Sequence, residues 1–229
     1  MSTTITGISS MATRQVLAEL TEAYRRRTGV TVAIEAMGGV DAARRVQAGE
    51  AFDHVVLASD AIDRLIAAGA VVEGSRVDLV RSPVAIAVRA GAPHPDVSSE
   101  AGVLAAVQAA RRIGFSTGPS GTYLMKLFER WGLAQALEGR VMQAPPGVPV
   151  GRLVASGECE LGFQQWSELM NEPGVDVLGL MPPPVEFITT FSAGLCRAGT
   201  QPEAVRAWLA FASSAETAAT KRRHGMEPG

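Results

Sequence analysis

Small donor residues stand at four places where an apolar, β-branched segment gives way to a helix-like segment. A helix N-terminus carries unpaired backbone N–H groups and a partial positive charge, so it attracts anions, and short side chains let an oxygen approach closely. The pattern therefore predicts an anion site assembled from several helix starts. The four junctions are Ser9–Ser10, Gly38–Gly39, Ala58–Ser59–Asp60 and Ser116–Thr122.

The fourth junction, within "STGPSGTYL" at 116–124, is rich in hydroxyl groups and glycine. We expect Ser116, Ser120, Gly121, Thr122 and Tyr123 to contact the ligand. The stretch lacks the Gly-x-Ser-x-Gly of a nucleophile elbow and the Gly-Lys-Ser/Thr ending of a phosphate loop. At any single junction the alternative is that Ser, Thr and Gly only cap a helix.

Further ligand contacts are expected on two other strand-like segments. Arg81 and Ser82 lie on a long extended run, and Gln165 follows "LGF" at a strand end. An arginine in a cleft suits a carboxylate, because its planar guanidinium donates two parallel hydrogen bonds. Ordinary solvent exposure is the alternative for Arg81 and Gln165.

Composition excludes several classes of partner. The 229 residues have a net charge of −2, so no basic field attracts nucleic acid or an anionic membrane. No apolar run reaches the roughly 20 residues of a membrane span. The three histidines lack metal-ligand spacing, and Cys159 and Cys196 are expected to be buried free thiols. We therefore expect no metal and no cofactor.

The N-terminus shows no basic segment, apolar core or cleavage site before the first strand-like residues. This pattern predicts a cytoplasmic protein, or a periplasmic one if a leader has been removed. Without an export signal, a membrane transporter is not expected as partner.

Strand-like and helix-like segments alternate through most of the chain, which predicts an α/β fold. Long extended runs near 79–89 and 185–197 interrupt this alternation. They predict two lobes, 1–82 with 190–229 and 83–189, with mixed sheets, flanking helices and two crossovers. The hinge is expected near 79–86 and 185–192, and the ligand in the cleft between the lobes.

This pattern resembles the type II periplasmic binding proteins, and among them the molybdate-binding-like branch. The resemblance spans nearly the whole chain and implies a two-lobed, hinged fold that closes on one small anion. The chain is also similar to the aconitate isomerases, enzymes of this fold that shift a double bond in a small unsaturated tricarboxylic acid. The segments that carry the resemblance are "GISSMATRQVLAELTEAYRRRTG", "AGEAFDHVVLASDAIDRLIAAG", "IGFSTGPSGTYLMKLFERWGL", "LVASGECELGFQQWSEL" and "RRHGMEPG".

Two departures from the molybdate binders point to an organic acid. Those proteins place a serine where this chain has Gly38–Gly39, and a tyrosine near Gln165. Arg81, together with Arg14 and Arg44, instead suits a di- or tricarboxylate.

The sequence therefore favours binding of a small organic di- or tricarboxylate. The alternative is a cytoplasmic isomerase of an unsaturated tricarboxylate, which must move a proton between two carbons. Molybdate or other oxyanion binding, and a ligand sensor, are further alternatives. The candidates for proton transfer are Asp60, Ser116, Ser120 and Tyr123.

Overall fold

The chain divides into two compact units in the structure, a computed structural model that describes residues 3–229. Unit 1 consists of Met1–Ser82 and Thr190–Gly229, and unit 2 of Pro83–Thr189. Met1 and Ser2, the first residues of the expected lobe 1–82, lie outside the described residues.

Unit 1 contains five strands or parts of strands from the first and last thirds of the chain, together with a short terminal strand. The strands are β1 (Thr4–Ser10), β2 (Thr31–Met37), β3 (His54–Ala58), the first half of β4 (Val77–Arg89), most of β9 (Ile188–Leu195) and β10 (Glu227–Pro228). The helices are α1 (Arg14–Thr28), α2 (Gly39–Gln47), α3 (Ser59–Ala67), α8 (Pro202–Ser213) and α9 (Ala218–Arg223).

The sheet of unit 1 has the strand order β2-β1-β3-β9-β4, with β10 paired to β4. Strands β1, β2 and β3 are mutually parallel, whereas β9 runs antiparallel to β3. Because α1, α2 and α3 each follow one of the three parallel strands, all three helices begin at the same edge of this sheet.

A helical stripe of apolar residues anchors α1 to the core of unit 1. Val16, Leu17, Leu20 and Tyr24 are buried, and they pack in one cluster with Trp208 of α8. Gly29 ends α1 in the left-handed conformation that glycine adopts without strain, with φ of 76°. The core of unit 1 is therefore made from both the first and the last part of the chain.

Unit 2 repeats the α/β plan on a second sheet. Its strands are the second half of β4, β5 (Ile113–Phe115), β6 (Val141–Gln143), β7 (Leu161–Gln165) and β8 (Val175–Leu180). Its helices are α4 (Glu100–Ala109), α5 (Pro119–Arg130), α6 (Val150–Ser156) and α7 (Trp166–Leu169). The order is β4-β7-β5-β6, with β8 paired to β4, and β5 runs parallel to both β6 and β7.

Several short elements were not expected from the sequence pattern. Strand β8, helix α7, helix α9 and strand β10 are all six residues or fewer. Helix α5 begins at Pro119, inside the fourth junction, because proline at the first helical position needs no N–H partner. Ser120, Gly121 and Thr122 of the hydroxyl-rich stretch therefore lie in the first turn of α5.

Both cysteines are free and buried, Cys159 in unit 2 and Cys196 in unit 1. Among the described residues, no helix is both long enough and apolar enough to span a membrane.

Candidate functional site

Three of the predicted junctions lie together at the carboxyl edge of the unit 1 sheet. Ser9 and Ser10 on β1 pair with Ala36 and Met37 on β2, and Ser9 also lies opposite Val56 on β3. The junctions that follow these strands therefore share one edge. This is the position at which open α/β sheets bind ligands.

At the first junction, one serine hydroxyl already caps a helix start. Ser10 Oγ accepts a hydrogen bond from the Ala12 N–H at 3.3 Å, and Thr13 Oγ1 donates to the Ser10 carbonyl at 3.0 Å. Ser9 is fully buried, and its hydroxyl donates to the Glu35 carbonyl at 3.5 Å. The capping alternative thus holds for Ser10, whose hydroxyl hydrogen remains available as a donor.

The glycines of the second junction are not explained by the fold. Gly38 precedes α2 with φ of −56°, and the first helical residue, Gly39, follows without a side-chain cap. A Cβ added to Gly38 or Gly39 would meet no atom closer than 3.7 or 3.8 Å, so each position has room for alanine. The next residue, Val40, leaves 62% of its surface exposed. Absence of side chains here keeps the N–H groups of α2 accessible.

The third junction offers a helix start but no free carboxylate. Ser59 is the first residue of α3, which has no side-chain cap. Asp60 is exposed and pairs with Arg64 one turn later, at 2.7 Å. A general base needs an unpaired carboxylate facing the substrate, so this arrangement argues against Asp60 in that role.

The fourth junction lies at the corresponding edge of unit 2. Phe115 of β5 is in register with Phe163 of β7 and Gln143 of β6, so the residues that follow these strands share the edge. Ser116 Oγ and Ser120 Oγ are 2.9 Å apart, and Ser120 is buried. Since one hydroxyl of such a pair donates to the other, the second keeps a hydrogen for a ligand.

Gly121 is required by the fold of the loop. A Cβ at this position would lie 1.9 Å from the Ser116 carbonyl oxygen, and its N–H donates to the Gly118 carbonyl at 3.0 Å. A side chain here would therefore crowd the backbone of its own loop before it could reach a ligand. Thr122 is exposed, and its N–H also bonds to Gly118, at 3.2 Å. Pro119 has no N–H, so Ser120 supplies the free N–H of this first turn.

Tyr123 is held by unit 2 itself. Its hydroxyl donates to the Val185 carbonyl at 3.1 Å, and its ring stacks on Phe187 with centroids 4.4 Å apart. Burial raises the pKa of the phenol. A phenol with a raised pKa and an occupied hydrogen is a poor proton shuttle, so Tyr123 fits a structural role better than a catalytic one.

Two consecutive glutamines end β7, and they differ in their partners. Gln164 is used at both ends, since its Oε1 accepts the Gly151 N–H at 3.2 Å and its Nε2 donates to Glu168 at 2.8 Å. Gln165 Nε2 donates to Thr189 Oγ1 at 2.7 Å, and its buried Oε1 has no partner among residues 3–229. An unpaired buried amide oxygen is rare in folded proteins and marks a place where a partner is missing.

Arg81 and Ser82 are consecutive residues of β4, so their side chains point to opposite faces of the strand. Arg81 is exposed, whereas Ser82 is fully buried and its hydroxyl has no partner within the described chain. One ligand on one face of β4 therefore contacts only one of the two directly.

The expected carboxylate-binding arginines differ in their availability. Arg44 is paired with Asp41 on α2. Arg14, the first residue of α1, and Arg81 are exposed, and neither forms an ion pair with another residue of the described range. Arg14 and Arg81 are thus the cations of this set that remain free for a ligand.

No group of three or more His, Cys, Asp or Glu residues suited to a metal ion occurs among residues 3–229. His54 is buried in the core of unit 1, His94 pairs with Asp176, and His224 pairs with Glu19.

Thr189 is the contact at this edge that the sequence analysis missed. It lies 24 residues after Gln165 and is buried in β9. A lone threonine in a strand carries no spacing signal, so only the pairing of side chains across the sheet identifies it.

Known proteins resemble this chain along its whole length. A family model described as bacterial extracellular solute-binding protein matches residues 5–227. An aconitate isomerase from a Pseudomonas species is 37% identical over 232 residues, covering 99% of this chain and 88% of that protein.

Solved structures share the fold at low sequence identity. The periplasmic molybdate-binding protein of Azotobacter vinelandii has a TM-score of 0.80 at 17% identity, covering 97% of this chain and 98% of that one. The sulfate-binding protein SubI of Mycobacterium tuberculosis has a TM-score of 0.80 at 18% identity, covering 99% and 87%. The expected fold class, α/β of the type II periplasmic-binding-protein kind, and the resemblance to aconitate isomerases are confirmed. With a family model matched over residues 5–227, the chain belongs to the bacterial extracellular solute-binding protein family.

Proposed function

We propose that this protein binds a small unsaturated tricarboxylate of the aconitate type and moves its double bond. The observation that carries the proposal is the 37% identity to an aconitate isomerase over 99% of the chain. Likeness of this kind, along an entire chain, is a stronger guide to activity than a shared fold alone.

The donor sets of the two sheet edges support a polycarboxylate ligand. Unit 1 offers open helix starts at Gly39 and Ser59 and the unpaired arginine Arg14. Unit 2 offers the Ser116–Ser120 hydroxyl pair. At each edge these donors are separate groups, so the several carboxylates of one ligand would each meet a different donor. A tricarboxylate uses such a distribution better than a compact oxyanion does.

The reaction is a proton transfer between carbons. A base removes a proton from the CH₂ carbon next to the double bond, the double bond shifts, and a proton is returned to the former vinyl carbon. Charge builds up on the carboxylate attached to the carbon that loses its proton, and hydrogen-bond donors fixed at that carboxylate lower the barrier. In this proposal, the Ser116–Ser120 pair and the Ser120 N–H supply such donors.

Binding without turnover is the second candidate function. It is favoured by the partners of two expected proton carriers, since Asp60 is paired with Arg64 and the Tyr123 hydroxyl bonds to Val185. On this alternative the same donors hold the same acid.

Proton NMR with cis- and trans-aconitate in D₂O separates the candidates. An isomerase converts each acid into the other and incorporates deuterium at carbon, whereas a binding protein broadens or shifts the ligand signals without conversion. Molybdate and sulfate serve as competitors. Absence of both conversion and binding, or displacement of the acid by molybdate at lower concentration, contradicts the proposal.

A matched pair of variants tests the assignment of Asp60. Asp60→Asn removes the carboxylate of an exposed ion pair, and Asp63→Asn does the same at a second exposed ion pair on α3. If Asp60 is not the base, both variants keep the conversion rate of the parent. Loss of conversion in Asp60→Asn alone would return Asp60 to the catalytic set.

A further inference from the structure

Gln165 and Thr189 form a buried pair that is incomplete. Each residue is 4% exposed, and the amide Nε2 donates to Thr189 Oγ1 at 2.7 Å. The other end of the amide, Oε1, has no partner among the described residues. Leaving a buried polar atom unpaired destabilises a fold, so an amide held this way indicates that something outside the chain completes it.

The neighbouring glutamine shows that the local fold can satisfy an amide fully. Gln164 bonds to Gly151 through its oxygen and to Glu168 through its nitrogen. Both residues end β7, and alternation along the strand sends their side chains to opposite faces. Of these two glutamines, Gln165 is the one with an amide end that has no partner among residues 3–229.

The free end lies at the sheet edge that carries the hydroxyl pair. Phe163 of β7 is paired with Phe115 of β5, so Gln165, the last residue of β7, and Ser116, which follows β5, lie at the same edge of the sheet. Ser116 and Ser120 keep one hydroxyl hydrogen for a ligand at this edge.

Thr189 can hold either end of the Gln165 amide. A threonine hydroxyl both donates and accepts, and the nitrogen and oxygen of an amide have the same shape. With Nε2 on Thr189, an acceptor faces the ligand; with Oε1 on Thr189, the two hydrogens of Nε2 face it. The chemistry of the ligand selects between these two orientations.

We propose that Thr189 donates to Gln165 Oε1 in the complex, so that the Gln165 amide N–H groups bind a carboxylate oxygen of the ligand. The identity of the ligand as a polycarboxylate rests on the proposed function. Gln165 is then a ligand contact, and Thr189 is a positioning residue that acts through it. A neutral hydrogen-bond donor at this point binds an anion and excludes a ligand that presents a hydroxyl donor.

Calorimetric titration with tricarballylate tests the orientation. This saturated tricarboxylate has no double bond to move, so binding is measured without turnover. Gln165→Met keeps the size of the side chain and removes the donor, and we expect roughly tenfold weaker binding, the loss of one hydrogen bond to a charged group. Gln165→Glu places a carboxylate against the ligand, and we expect roughly hundredfold weaker binding at pH 8.5. Gln164→Met serves as the control for a change at the strand end and is expected to bind as the parent does.

The pH dependence of Gln165→Glu gives an independent reading. A protonated glutamic acid can donate a hydrogen bond, so binding by this variant should tighten from pH 8.5 to 6.5 more than binding by Gln165→Met. Binding by Gln165→Glu that equals or exceeds that of Gln165→Met at pH 8.5 overturns the orientation.

The role of Thr189 is tested by rescue and by a double variant. Thr189→Val removes the hydroxyl and should weaken binding roughly threefold to tenfold, whereas Thr189→Ser should stay within about twofold of the parent. In a Gln165→Met background, Thr189→Val should have no further effect, because its action passes through the amide. Equal effects of Thr189→Val in both backgrounds show a general structural role and contradict the inference.

The inference and the proposed function fail in different ways. If the parent binds tricarballylate but does not convert aconitate, the isomerase proposal is wrong, and the order of the variants still decides the orientation. If the parent converts aconitate but does not bind tricarballylate, only the orientation is overturned; if it neither converts aconitate nor binds either acid, both are wrong. Circular dichroism melts of every variant, without ligand, identify any loss of binding that comes from unfolding.

Discussion

The carboxyl edges of the two sheets offer donors of different kinds. In unit 1, the starts of α2 and α3 lack side-chain caps, Gly38 and Gly39 leave space, and Arg14 is unpaired. In unit 2, the polar groups are side chains that already bond to one another, as in the Ser116–Ser120 and Gln165–Thr189 pairs. The first edge therefore presents exposed backbone and charge, whereas the second presents side chains that other side chains already hold in place.

The largest expected difference concerns glycine. Gly121→Ala should lower the free energy of unfolding by about 2–4 kcal/mol, because the new Cβ would lie 1.9 Å from the Ser116 carbonyl oxygen. Gly39→Ala should leave stability unchanged or slightly raised, since its Cβ would be 3.8 Å from Leu57 and alanine favours a helix. Urea denaturation measures both variants. Equal stabilities would mean that the two edges do not differ in their need for glycine.

The next largest effect is a difference between the two units in the pH dependence of their stability. Burial lowers the pKa of His54 in unit 1 to about 4. The unfolded chain binds a proton below about pH 6.5 and the folded chain does not, so stability should fall by about 3 kcal/mol between pH 6.5 and 4.

Unit 2 has only the exposed His94 among the three histidines of the chain. Hydrogen exchange at pH 5 should therefore show faster opening of β3 than of β7. His54→Phe should remove this difference in part, and identical pH profiles for the parent and this variant would contradict the assignment to His54.

A smaller effect is expected at the arginines. Arg81→Ala should weaken binding of tricarballylate roughly tenfold if the guanidinium forks a carboxylate, and Arg14→Ala should have a comparable effect. Arg44→Ala is the matched control, because Arg44 is already paired with Asp41 on the surface. If calorimetry finds that all three variants bind as the parent does, these arginines do not contribute to ligand binding.

The smallest effects compare two serines. Ser120→Ala should reduce affinity by about 1 kcal/mol, with little change in stability, since it removes one hydroxyl of the pair that is proposed to bind the ligand. Ser10→Ala should instead reduce stability by about 1 kcal/mol, because Ser10 Oγ accepts the Ala12 N–H. Thermal melts with and without ligand assign each loss. Exchange of the two outcomes would reverse the roles given to these residues.

The fold class could be predicted from the sequence, because strand and helix periodicity are local signals. Glycines that end helices, such as Gly29, are local signals too. The ion pair of Asp60 could also be predicted, since an arginine stands four residues later on the same helix. Strand alternation likewise separates Arg81 from Ser82. These features needed only local rules.

Other features depend on contacts between distant residues. Glycine is needed at position 121 because the Ser116 carbonyl oxygen lies close to it. The hydrogen bonding of the Gln165 amide depends on Thr189, which lies 24 residues later. Strand β10 has two residues, and its pairing with Val80 and Arg81 of β4 defines it. No periodicity can be read from so short a segment, and the partner lies more than 140 residues away in the sequence.

The two buried thiols make this chain a convenient scaffold for site-specific labelling. Burial raises the pKa of Cys159 to about 11 and that of Cys196 to about 12, so almost no thiolate is present near neutral pH. A cysteine introduced at the exposed position Val40, beside Gly38 and Gly39, would react with a maleimide dye far faster than either native thiol. Fluorescence from that single dye would report ligand arrival at the first edge directly, without removal of the native cysteines.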